Sequence, residues 1–153
     1  MSGKKQDKFG KNKFKSQSGV APRAQNTRNE KKVVDEIPLL LFSFKDFDKS
    51  QCPPGQTFEE WEKEGLLSSL MTKLVDLSQR NRITAAQQGN ITIYGAFPES
   101  SDFKIPRFIE GEVKWAVIKD VGGQKHRVAG YLIDNIFYVV FLDKDHKFFK
   151  MKQ

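Results

Sequence analysis

Two turn signals in the last third of the chain constrain its fold more than any other feature. Gly122-Gly123 and Asp134-Asn135 each sit between apolar, strand-like runs. Both suit tight antiparallel connections, so residues 113–150 read as three strands joined by two hairpins. With two-residue turns, Arg127 falls opposite Ile118 on one side and Leu142 on the other. Tyr131 falls opposite Lys114 and Tyr138, and Trp115 crosses from Gly130. Strand side chains alternate between faces, which puts Arg127, Tyr131, Tyr138 and His146 on one side. Trp115, Val117, Val128, Leu132, Phe137, Val139 and Phe141 take the other. The expectation is a sheet with one core face, turned to helices, and one face that mixes cations with aromatics.

Upstream, residues 37–47 (IPLLLFSFKDF) read as a strand, and Pro53-Pro54-Gly55 is a break. Thr57 with Glu60 three residues on is a capping box, so a helix is predicted to begin at Thr57. Phe58 and Trp61 form its apolar stripe and Gly65 interrupts it. Leu67, Leu70, Met71, Leu74 and Leu77 recur at helical spacing in a second run. A short helical piece at 83–88, ended by Gly89, and a brief strand at 91–94 follow. Residues 97–109, with two prolines, read as a loop. The fold class is therefore α+β: an N-terminal strand and helices packed on a small twisted antiparallel sheet.

Charge divides the chain. Residues 1–32 carry ten Lys or Arg against Asp7 and Glu30, whereas the net charge of the whole chain is +7. The remainder is thus close to neutral. The first stretch has almost no apolar residues to offset the entropy of ordering, so it reads as a disordered basic tail. Residues 33–153 read as one domain. A cationic arm binds phosphate backbones without reading sequence; a solubilising extension explains the same composition equally well. The one cysteine, Cys52, precludes an internal disulfide and suits a reducing compartment. No apolar run approaches the ~20 residues of a membrane span, and no signal-peptide core is evident. A cytoplasmic protein without membrane contact is expected.

The motifs narrow the chemistry. One Cys and two His (His126, His146) fall short of a structural zinc set, and no metal or other cofactor is expected. Gly122-Gly123-Gln124-Lys125 has no following helix to cradle a phosphate, and no nucleophile-elbow pattern occurs. What remains is the Arg127 face. A guanidinium grips phosphate with a rigid fork of donors and offsets the extra charge of a phosphoryl transition state. His146 emerges on the same face if the last strand continues, and histidine exchanges protons near neutral pH. Cleavage of RNA through its own 2′-hydroxyl needs a cation on the phosphate, a base for that hydroxyl and an acid for the leaving oxygen. Glu110, Glu112 and Lys114 are the candidate bases. Set against this, a lone Arg on a sheet is commonly an ion-pair partner, and Tyr131 and Tyr138 are good cross-strand partners without any ligand.

The element order, together with HRVAGYLIDNIFYVVFLDKDHKFF at 126–149, resembles the RelE/ParE superfamily of bacterial toxins. The likeness covers residues 37–150 by element order and the final strands by motif. It implies a ribonuclease that cleaves messenger RNA in association with the ribosome and that is neutralised by an antitoxin protein. By position, Arg127 matches the arginine that contacts the scissile phosphate and His146 the C-terminal acid/base. Phe148 and Phe149 stand where many members have a catalytic or stacking tyrosine; Phe149, with Tyr131 and Tyr138, is the expected substrate-binding set. The alternative is a non-catalytic module that binds protein or nucleic acid, as in the gyrase-poisoning branch.

Overall fold

The computed structural model describes residues 37–150. The expected tail at 1–32 lies outside them. Strands β1 (Leu41–Ser43), β2 (Ile91–Gly95), β3 (Lys114–Ile118), β4 (Arg127–Ile133) and β5 (Ile136–Asp143) form one sheet, ordered β1-β5-β4-β3-β2. Three helices, α1 (Phe58–Lys63), α2 (Leu66–Leu77) and α3 (Arg82–Gln87), lie between β1 and β2 in the chain. The α+β class and the element order are as expected. One pairing differs: β1 runs parallel to β5, which makes the sheet mixed. Of the predicted strand at 37–47, only three residues form a ladder.

Local chemistry explains the helix boundaries. The Glu60 N–H donates to Thr57 Oγ1 (3.1 Å) and the Thr57 N–H donates to Glu60 Oε1 (3.2 Å), a complete capping box at α1. Gly65, with φ at +74°, breaks α1 from α2 in a conformation that side chains disfavour. Asn81 caps α3 by accepting from the Thr84 N–H at 2.8 Å. Leu66, Leu70, Leu74 and Leu77 of α2 are buried, whereas Met71 points to solvent.

The two hairpins differ from each other. At Asp134-Asn135 the tight turn forms as read, pairing Tyr131 with Tyr138 and Leu132 with Phe137. The Gly122-Gly123 connection is longer than two residues, because β3 ends at Ile118 and β4 starts at Arg127. Within it the Val121 N–H donates to the His126 carbonyl, and Val121 is fully buried. The register therefore moves by one: Ile118 pairs with Val128, Ala116 with Gly130 and Trp115 with Tyr131. A one-residue slip turns a whole strand over. A bulge in β5 beside Ala129 and Gly130 then shifts the next pairs, so Arg127 faces Asp143 rather than Leu142.

These shifts overturn the expected division into a core face and an open face. Ala116, Ile118, Val128, Leu132, Phe137, Val139 and Leu142 pack with the helices. Trp115, Val117, Ala129, Tyr131, Val140 and Phe141 form a second core on the opposite side, covered by Phe103, Ile109 and Phe148. Trp115 is thus buried as expected but away from the helices, and it lies across from Tyr131 rather than Gly130. Both sheet faces are covered, so any site must lie at an edge or end of the sheet. No helix among the described residues is long and apolar enough to cross a membrane.

Candidate functional site

The residues at one end of the sheet, where β4 begins and β5 stops, form the strongest candidate. Arg127 opens β4 and Asp143 closes β5. The Asp143 side chain is fully buried and accepts from the Lys147 and Phe148 N–H groups, both at 2.8 Å. Two backbone donors on one carboxylate bend the chain sharply and return it over the second core. There Phe148 is buried edge-on to Phe97 (5.2 Å between centroids) and beside Trp115 and Phe141. Phe149 stacks on Tyr94 of β2 at 4.4 Å and 10°. His146 sits at the bend between these anchors, with φ at +58°. It does not continue β5, but the fold-back brings it to the Arg127 end.

Electrostatics ties the group together. Burial lowers the His146 pKa first, the neighbouring Arg127 charge lowers it further, and Asp143 opposes both. Tyr94 is raised by burial and pulled back by Arg127. Asp143 is raised by burial, against the two N–H donors and His146. Arg127 is itself mostly covered, with 16% of its side chain exposed, and Nη1 stands 3.6 Å from Asp120 Oδ1. That distance suits an ion pair and is too long for a hydrogen bond. Nη1 is buried without a hydrogen-bond partner among the described residues. A buried donor left without a hydrogen bond is costly, and the looser Asp120 ion pair offsets part of that cost.

The other expected site residues lie elsewhere. Lys114 pairs with Leu132 at the far end of β4, about 16 Å from Arg127 by strand rise. Glu112 shares that end, where both line a cleft with Arg82, Ile93 and Asp134. Neither stands beside Arg127, because β3 runs antiparallel to β4 and its start meets the β4 end. Glu110 is exposed in the preceding loop. Tyr131 is only 4% exposed. Its ring stacks on Tyr138 at 4.7 Å, and its hydroxyl donates to the Asp46 carboxylate. Burial and that carboxylate push its pKa well above the ordinary tyrosine value. It is a core residue without free surface for a substrate. Tyr138 is half-buried, with Lys45 Nζ 5.5 Å from its ring centroid. His126 turns its Nδ1 to the Gly122 carbonyl at 3.3 Å, a loop contact.

The sequence reading missed Asp120, Asp143 and Tyr94. An acidic residue ending a strand, followed by a short polar bend, was the available signal for Asp143. No local pattern marks Asp120, which meets Arg127 only through the longer β3–β4 connection. No group of three or more His, Cys, Asp or Glu among the described residues is placed to hold a metal ion. No family model, curated protein or solved structure matches the chain.

Proposed function

We propose that this protein is a toxin-like endoribonuclease, resembling the RelE type, that cleaves messenger RNA by attack of the RNA 2′-hydroxyl on the adjacent phosphate. The observation that carries the reading is the mostly covered Arg127, loosely paired with Asp120 and brought to the same end of the sheet as His146 by the fold-back that Asp143 anchors. In this mechanism Arg127 binds the two non-bridging phosphate oxygens and offsets their charge as the phosphorus becomes pentacovalent. His146, protonated, gives its proton to the leaving 5′-oxygen. The 2′-hydroxyl proton passes to a base at the same end of the sheet, and the products are a 2′,3′-cyclic phosphate and a free 5′-hydroxyl. The protein acts in the cytoplasm on messenger RNA, whether free or at the ribosome, and an antitoxin protein holds it inactive by covering the Arg127 end or packing along the helices.

Inducing the chain in a bacterial host beside an Arg127→Ala version tests this. Arrest of growth by the wild type alone is the expected outcome. Unimpeded growth with folded wild-type protein present contradicts it. One observation favours a second reading, a non-catalytic binding module: Phe149 is stacked on Tyr94 and offers no hydroxyl where relatives in the resembled family carry tyrosine. Arrest that survives His146→Gln without RNA cleavage would identify that module.

A further inference from the structure

We infer that Asp120 is the general base of this site, the group that takes the proton from the attacking 2′-hydroxyl. The inference rests on the ribonuclease reading above and fills the role that Glu112 and Lys114, at the far end of β4, are too distant to fill. Asp120 Oδ1 stands 3.6 Å from Arg127 Nη1, and its side chain is 55% exposed. It is therefore a carboxylate beside the phosphate clamp with an open side for substrate. A phosphate held on Arg127 brings its own ribose hydroxyl to the neighbourhood of that oxygen. At 3.6 Å the contact is an ion pair and not a hydrogen bond, and the exposed side of the Asp120 carboxylate is left open.

The chain fixes Asp120 there deliberately. The Lys119 N–H donates to the Asn90 carbonyl at 2.9 Å, and Val121 is anchored in the core. Between these anchors Asp120 takes φ +58°, a left-handed conformation shared with His146 and, among the described non-glycine residues, otherwise only with the turn residue Asp134. Uncommon backbone at two residues flanking one arginine suits a site whose side chains must be aimed. The step balances. The 2′-oxygen bonds to phosphorus as its proton passes to Asp120. The bond from phosphorus to the 5′-oxygen breaks as His146 supplies the replacement proton. The substrate must be a ribonucleotide at the cleaved position, because a deoxyribose has no hydroxyl for Asp120 to activate.

Single-turnover cleavage by the full chain of a DNA oligonucleotide containing one ribonucleotide tests the assignment. Asn tolerates left-handed backbone as well as Asp does, so Asp120→Asn keeps the loop. It is expected to slow cleavage by roughly 10²–10⁴-fold, the usual span for a general base. Substrate affinity should hold or improve, since a negative charge beside the phosphate is lost. A variant that cleaves within a fewfold of the wild type, while Arg127→Ala is inactive, overturns the assignment and leaves the ribonuclease reading standing. So does an Asp120→Asn defect confined to weakened binding, which marks Asp120 as a positioning residue for Arg127. Absence of cleavage by the wild type overturns both.

Discussion

Arg127 and Asp143 face each other across the β4–β5 ladder, yet they form no ion pair, because the Asp143 carboxylate is taken by the Lys147 and Phe148 N–H groups. This separation of roles leaves the guanidinium to pair with Asp120 and uses the buried acid to fold back the C-terminal segment. Asp143→Ala strands two backbone donors, one of them at the buried Phe148. The expected loss is roughly 2–4 kcal/mol of stability by urea unfolding. Amide exchange across 144–149 should rise more than in the helices, and Asp143→Asn, which keeps one acceptor, should lose less. Equal exchange throughout would contradict the view that Asp143 holds this segment.

Trp115 packs on the covered face against Phe97 (4.9 Å) and Tyr131 (5.7 Å) and lies near Phe148. Trp115→Ala should cost about 3–5 kcal/mol. It should also loosen the 97–109 loop and the C-terminal segment while α2 keeps its protection. Exchange that rises first in the helices would return Trp115 to the helix-facing side.

Gly130 cannot accept a side chain. A Cβ there would stand 1.9 Å from the Tyr138 carbonyl oxygen, which belongs to the backbone of the neighbouring strand. The clash sits beside the bulge that sets the Arg127 register. Gly130→Ala is expected to cost about 3 kcal/mol or more, beyond ordinary overpacking. A variant as stable as the wild type in thermal unfolding would show the pairing to be different.

His146 links the site to pH. Its folded pKa lies below 6.5, through burial first and the Arg127 charge second. An acid must be protonated to act, so kcat/KM should fall as pH rises through that lowered value. Folding stability runs the other way: the contribution is full above pH 6.5 and is lost as pH falls through the folded pKa, where the unfolded chain binds the proton better. Arg127→Gln removes one lowering charge, so the His146 imidazole resonances should titrate at higher pH. An unchanged titration would place the two side chains apart.

Much of the fold was legible in the sequence, because its signals are local. Thr57 and Glu60 cap a helix within one turn, the α2 leucines repeat at helical spacing, and Asp134-Asn135 closes a tight hairpin. The register of β3 was not legible, because it depends on Val121 entering the core and lengthening a connection that glycines alone made look short. The two-sided burial has its own signal, which strand alternation masks: Trp115–Ile118 and Val139–Leu142 are continuous apolar runs, the mark of strands covered on both faces. Arg127 and His146 could be singled out by chemistry. Asp120 could not, since it meets Arg127 only through the lengthened β3–β4 connection.

The most direct test is to incubate the purified chain with single-stranded RNA in the presence of a chelator and identify the new ends. Cleavage with 2′,3′-cyclic phosphate or 3′-phosphate termini is expected. Cleavage should be lost in both Arg127→Ala and Arg127→Lys, because a point charge lacks the paired donors that hold two phosphate oxygens. Intact RNA with folded wild-type protein, a dependence on added metal, or full activity in the Arg127→Lys variant would contradict it.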